Sequence, residues 1–109
     1  MNKVKVKIER FNFLKNELKI ISNDLATLKN KLSIIKHRRN EYFIQFGNYC
    51  LHNLTEKTFD DKFCFSLMQS IEKLDFSIRD CDKLIYFNEL KRETLKREYE
   101  CIGSELCLI

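Results

Sequence analysis

Residues 11–35 read FNFLKNELKIISNDLATLKNKLSII, and within them Phe11, Leu14, Leu18, Ile21, Leu25, Leu28, Leu32 and Ile35 recur at alternating steps of three and four. The ladder continues through Arg39, Tyr42, Phe46 and Tyr49. A second ladder runs Leu67, Ile71, Leu74, Ile78, Cys81 and Ile85, then Asn88, Arg92, Leu95, Tyr99, Ile102 and Leu106. A mean period of 3.5 keeps one stripe of a slightly underwound helix facing a partner helix, the pattern of a coiled-coil seam. The two ladders share a mirror centre. Residues 46 with 67, 35 with 78, 28 with 85, 18 with 95 and 11 with 102 have numbers that in every case add to 113. The chain is therefore expected to fold near Glu56 and Lys57 into an all-α antiparallel coiled-coil hairpin of two long helices. The expected bounds are about 3–50 for the first helix, 52–58 for the loop and 59–102 for the second, one domain over residues 1–109.

With no Pro and two Gly in 109 residues, little of the sequence is suited to turns. Gly47, Asn48, His52 and Asn53 are read as weakening the first helix and leading into the loop. Thr58 is the expected N-cap of the second helix, its hydroxyl accepting the Asp61 amide, with Asp60 and Asp61 favouring the positive end of the dipole. Gly103 and Ser104 mark an expected stop.

The net charge of +4 conceals an asymmetry. Residues 1–55 hold 11 Lys and Arg against 4 Asp and Glu, while residues 56–109 hold 9 against 12, so the halves carry +7 and −3. Oppositely charged antiparallel helices attract along their flanks, which favours a hairpin over a parallel dimer of the first helix. Basic clusters at Lys3, Lys5, Lys7 and Arg10 and at Lys36, His37, Arg38 and Arg39 raise nucleic-acid binding as a rival. An acidic second helix beside them argues against it.

Five cysteines, Cys50, Cys64, Cys81, Cys101 and Cys107, form no CxxC and are odd in number, which points to free thiols in a reducing compartment. Cys50 and Cys64 are expected near each other across the fold. His37 and His52 lack metal-ligand spacing, so neither a metal nor any other cofactor is expected. No stretch has the apolar length of a membrane span or of a signal peptide, and a cytoplasmic location is expected.

Three seam positions break the apolar rule: Arg39, Asn88 and Arg92. Either the arginine stems lie along the seam with their heads in water while Asn88 fixes register, or Asn88 and Arg92 loosen the hairpin for a partner. Off the seam, Phe43, Ile44, Phe59, Phe63, Phe65 and Phe76 crowd the half near the fold point. Two helices bury one stripe each, so these side chains are either covered by the loop or form a partner-binding tip. A catalytic reading is weak, because Asp60 with Asp61 and Glu98 with Glu100 lie on exposed helix surface and no phosphate-binding loop is present.

Asn40-Glu41-Tyr42 and Leu67-Met68-Gln69-Ser70-Ile71-Glu72-Lys73-Leu74, about 25 residues apart across the fold point, resemble the paired segments of the FliJ/YscO/InvI family of type III secretion ATPase central-stalk proteins. Arg38 departs from that pattern, standing where an aromatic is usual, as does Leu74 where Ala is common. The resemblance implies a non-enzymatic, cytoplasmic rotor-like stalk at the membrane-proximal base of a secretion apparatus. Its terminal end would enter the hexameric secretion ATPase, and the rest would face the export gate and bind export chaperones. It implies Tyr42, Leu67, Ile71, Leu74 and Ile78 as gate-facing residues, to which the apolar excess adds Phe65 and Phe76. Lys15, Lys19, Arg92, Lys96 and Arg97 are the candidate contacts with the ATPase. The alternative is a small helical chaperone for needle or translocator subunits, holding a partner helix in an apolar groove.

Overall fold

A computed structural model describes residues 2–56 and 60–108. It contains two helices, α1 (Lys3–Glu56) and α2 (Asp61–Glu105), paired as an antiparallel coiled-coil hairpin. All twenty-four ladder positions are buried or half-buried, so the 3.5-residue period marks the seam throughout. The chain divides into two compact units, each built from both helices: a terminal unit, Met1–Leu28 with Leu84–Ile109, and a loop unit, Lys29–Lys83.

In the terminal unit Phe11, Leu14, Ile21 and Leu25 are buried, with Leu14 fully enclosed. Phe11 stacks on Tyr99 with ring centroids 4.5 Å apart and planes 16° from parallel. Its mirror partner on index alone is Ile102, one turn further along; an aromatic ring is long enough to reach the diagonal neighbour. Two ion pairs flank this core, Lys7 Nζ to Glu105 Oε2 at 2.7 Å and Arg10 Nε to Glu98 Oε1 at 2.8 Å, the latter bidentate through Nη2 at 2.9 Å. In the loop unit Ile35, Ile78 and Cys81 form a buried cluster with Leu32 and Leu74 packed against it, and Leu67 is buried separately, closer to the loop. Arg39 Nη1 meets Asp75 Oδ1 at 2.9 Å. All three of these pairs set a cation of α1 against a carboxylate of α2, as the charge asymmetry requires.

The helix ends differ from the sequence expectation. α1 continues beyond residue 50 to Glu56 despite Gly47, Asn48, His52 and Asn53. The Asn53 side-chain amide donates to the Tyr49 carbonyl at 2.8 Å, and the Thr55 hydroxyl donates to the Leu51 carbonyl at 3.0 Å. These polar side chains are thereby accommodated within the helix, and Asn53 is buried there. The Tyr49 ring packs on Phe63 at 4.6 Å, and its hydroxyl accepts the Asp60 amide, so tertiary contact outweighs the weak local propensity. Thr58, the expected cap, lies outside the described residues. The observed cap is Asp60, whose Oδ1 accepts the amides of Lys62 at 3.0 Å and Phe63 at 3.3 Å. At the other end of the chain Asn2 caps α1 in the same way, accepting the amides of Val4 and Lys5.

α2 runs past Gly103 and Ser104 to Glu105. Its closing turn has the Leu108 amide bonded to the Gly103 carbonyl at 2.8 Å and the Cys107 amide to the Ser104 carbonyl at 3.2 Å. Cys107 takes the left-handed conformation, φ 57°, that this closure demands. Among the described residues no helix is long and apolar enough to cross a membrane.

Candidate partner-binding surface

The seam consumes one stripe of each helix and leaves large apolar side chains outside it. In the loop unit Phe43, Phe46, Phe65, Met68, Ile71 and Phe76 line a groove of about 520 Å³, with Gln69, Glu72, Asp75 and Arg79 on its walls. Phe43, Phe65, Met68 and Phe76 remain 50 to 62% exposed. Ile44 is exposed as well, while Phe63 is partly engaged by Tyr49; Phe59 lies outside the described residues. Phe43 on α1 and Phe65, Met68 and Phe76 on α2 stand beside the seam, and the seam residues Phe46 and Ile71 join them in lining the groove.

The two sets expected to meet the export gate separate here. Leu67 and Ile78 are buried, and Tyr42, Ile71 and Leu74 are half-buried, all on the seam. Of these only Ile71 reaches the groove. Phe65 and Phe76, by contrast, are exposed on its walls. Met68, Gln69 and Glu72 entered the sequence reading only as part of the family-like segment, not as site residues, and Arg79 did not enter it. Their signal was present in the spacing of Phe65, Met68, Glu72, Phe76 and Arg79, which advances by three or four residues and returns each to one helix face.

In the terminal unit Lys15, Lys19, Lys96 and Arg97 are exposed and Arg92 is half-buried on the seam; none forms an ion pair among the described residues. This unit also exposes Leu84, Tyr86, Phe87 and Leu90 on α2, and Tyr86 meets Phe87 edge-on at 5.8 Å. Sequence reasoning missed that patch, although its spacing is visible in Leu-Ile-Tyr-Phe-Asn-Glu-Leu over residues 84–90.

Arg39 lies along the seam, but its guanidinium is held by Asp75 rather than lying free in water, and its Nε is buried without a hydrogen-bond partner. Asn88 makes no side-chain hydrogen bond among the described residues. Glu98 and Glu105 are held below the usual carboxylate value by their hydrogen bonds to Arg10 and Lys7 respectively. Burial pushes the Cys64 thiol up, with the nearby Cys50 side chain and the carboxylates of Asp61 and Asp60 adding to it. All five cysteines are free, Cys81 being the buried one. Of the carboxylate pairs read from the sequence, Asp60 caps α2 and Glu98 pairs with Arg10. Among the described residues no group of three His, Cys, Asp or Glu side chains could hold a metal ion. Comparison with protein-family models, curated proteins and solved structures finds no match to this chain.

Proposed function

We propose that this chain is a non-enzymatic, cytoplasmic stalk component of a type III secretion system, standing at the membrane-proximal base of the apparatus. Its terminal unit engages the hexameric secretion ATPase through Lys15, Lys19, Arg92, Lys96 and Arg97. Its loop unit engages the export gate, and export chaperones, through the groove that carries Phe65 and Phe76. The observation that carries this reading is the aromatic groove of the loop unit, an apolar surface of the kind that holds a partner, with the exposed cations of the terminal unit as the candidate ring contacts. A two-helix hairpin also suits a part that is inserted into a ring and transmits contact. The sequence likeness to central-stalk proteins supplies the identity of the partners.

One rod in a hexameric ring serves six sites. The purified chain should therefore raise the hydrolysis rate of the secretion ATPase at far below one copy per subunit, and only under conditions where hexamers form. No binding and no change in rate across a wide range of chain concentrations removes the proposal's mechanism.

A second reading, a chaperone for needle or translocator subunits, draws on the same groove, whose walls suit the apolar face of an amphipathic helix. The two readings diverge in a simple assay. A chaperone keeps its cargo in solution without any ATPase, whereas a stalk alters the ATPase without any cargo.

A further inference from the structure

The second ladder continues one rung towards the fold point. Cys64 stands three residues before Leu67, and its number adds to 113 with that of Tyr49, the last rung read on α1. The structure closes this rung as the register requires. The Tyr49 side chain is a hydrogen-bond partner of the Cys64 sulfur, and its ring lies 4.6 Å from that of Phe63. Cys50 follows Tyr49 on α1, and both cysteines are half-buried. Their side chains are near enough for Cys50 to act electrostatically on the Cys64 thiol. Two thiols, one from each helix, thus meet at the loop end of the seam. The other three are placed differently: Cys81 belongs to the buried cluster, and Cys101 and Cys107 lie in the terminal unit.

We propose that Cys50 and Cys64 are a redox-sensitive modification site, closing into an intrachain disulfide that ties α1 to α2 by exchange with a small oxidised disulfide such as glutathione disulfide. The architecture permits the bond. With helix axes about 8–10 Å apart and Cα atoms about 2.3 Å from each axis, residues across a seam come within the roughly 4.4–6.8 Å that a disulfide spans. One protein thiolate attacks a glutathione sulfur, forming a protein–glutathione disulfide and releasing one glutathione. The second thiolate attacks the protein sulfur of that bond and releases the other. The two protein thiols give up two electrons, the S–S bond of glutathione disulfide is reduced by them, and the two thiol protons end on the two glutathiones. A reducing compartment holds the site open, and an oxidising shift closes it. The proposal does not depend on the secretion reading.

The test equilibrates the full chain, dilute, with buffers of graded oxidised-to-reduced glutathione ratio, followed by acid quenching, trypsin and mass spectrometry without reductant. Cleavage after Arg39, Lys57, Lys62 and Lys73 places Cys50 in peptide 40–57 and Cys64 in peptide 63–73, neither of which holds another cysteine. The two peptides should appear joined, from a monomer whose circular dichroism is unchanged. Because the closing thiol is held beside its partner, the bond should form at a ratio about tenfold or more below the one that puts glutathione on Cys101. Cys64→Ser should stop the reaction with glutathione on Cys50, and Cys50→Ser should stop it with glutathione on Cys64. Glutathione carried separately on both cysteines of the wild type overturns the proposal. So does a bond that forms only between chains or only with loss of helicity, or a pair that stays reduced where Cys101 is already modified.

Discussion

Arg39 and Asp75 meet at 2.9 Å across the two helices of the loop unit, at a seam position where every other rung from Phe11 to Ile35 is apolar. The arginine stem is partly buried, and its Nε lies out of water with no partner. A charge held this way is costly to abandon and of small net benefit to keep.

Asp75→Ala should therefore destabilise the hairpin by about 1–3 kcal/mol, since it leaves a part-buried guanidinium unpaired. Arg39→Leu, which restores the apolar ladder, should be neutral or stabilising. Urea unfolding curves of the two variants decide the matter; equal losses would mean that the pair itself, rather than the stranded charge, sets the energy.

Gly47 lies inside α1, and a Cβ added there meets nothing within 4 Å. Gly47→Ala should raise stability by about 0.5–1 kcal/mol, the difference in helix propensity between the two residues. A fall in thermal midpoint would reveal a contact at this position that the single chain does not show.

The seam was legible in the sequence because burial depends on a period that neither loop geometry nor partner identity can alter. The helix ends were not. Gly47, Asn48 and Asn53 are poor helix formers, and nothing local announces that Asn53 will bond the Tyr49 carbonyl or that Tyr49 will clamp Asp60 and Phe63. The groove was half legible. Phe65 and Phe76 stood out as apolar residues off the seam, but the roles of Met68, Glu72 and Arg79 depend on which helix face borders Phe43 and Phe46.

The carboxyls of Glu98 and Glu105 are depressed below the ordinary value of 4.5 by hydrogen bonds to Arg10 and Lys7. Such groups contribute stability above their unfolded value and lose it as the pH falls through the folded one. The hairpin should accordingly weaken on acidification below about pH 4.5, and Glu98→Gln should flatten that dependence. Thermal midpoints of wild type and variant between pH 6 and pH 3 test this, and parallel curves would show that the Arg10 pair contributes nothing.

Burial, with the nearby Cys50 side chain and the carboxylates of Asp61 and Asp60, raises the Cys64 thiol, whereas Cys101 and Cys107 are exposed. Since the thiolate is the nucleophile, alkylation at pH 8 should modify Cys101 and Cys107 well before Cys64. Mass spectrometry of timed samples gives the order, and early labelling of Cys64 would contradict the packing around Tyr49 and Phe63.

The division of labour between the units is tested most directly by two variants assayed side by side: Phe65→Ser with Phe76→Ser, and Lys15→Glu with Lys19→Glu and Lys96→Glu. Exposed charge contacts weaken as salt shortens the screening length from about 10 Å at 0.1 M to about 3 Å at 1 M, and apolar contacts do not. The serine variant should lose binding to the export gate or chaperone and still stimulate the secretion ATPase. The glutamate variant should do the reverse, with helical content unchanged in both. Loss of both activities in either variant, or a collapse of helicity in the serine variant, would contradict the account.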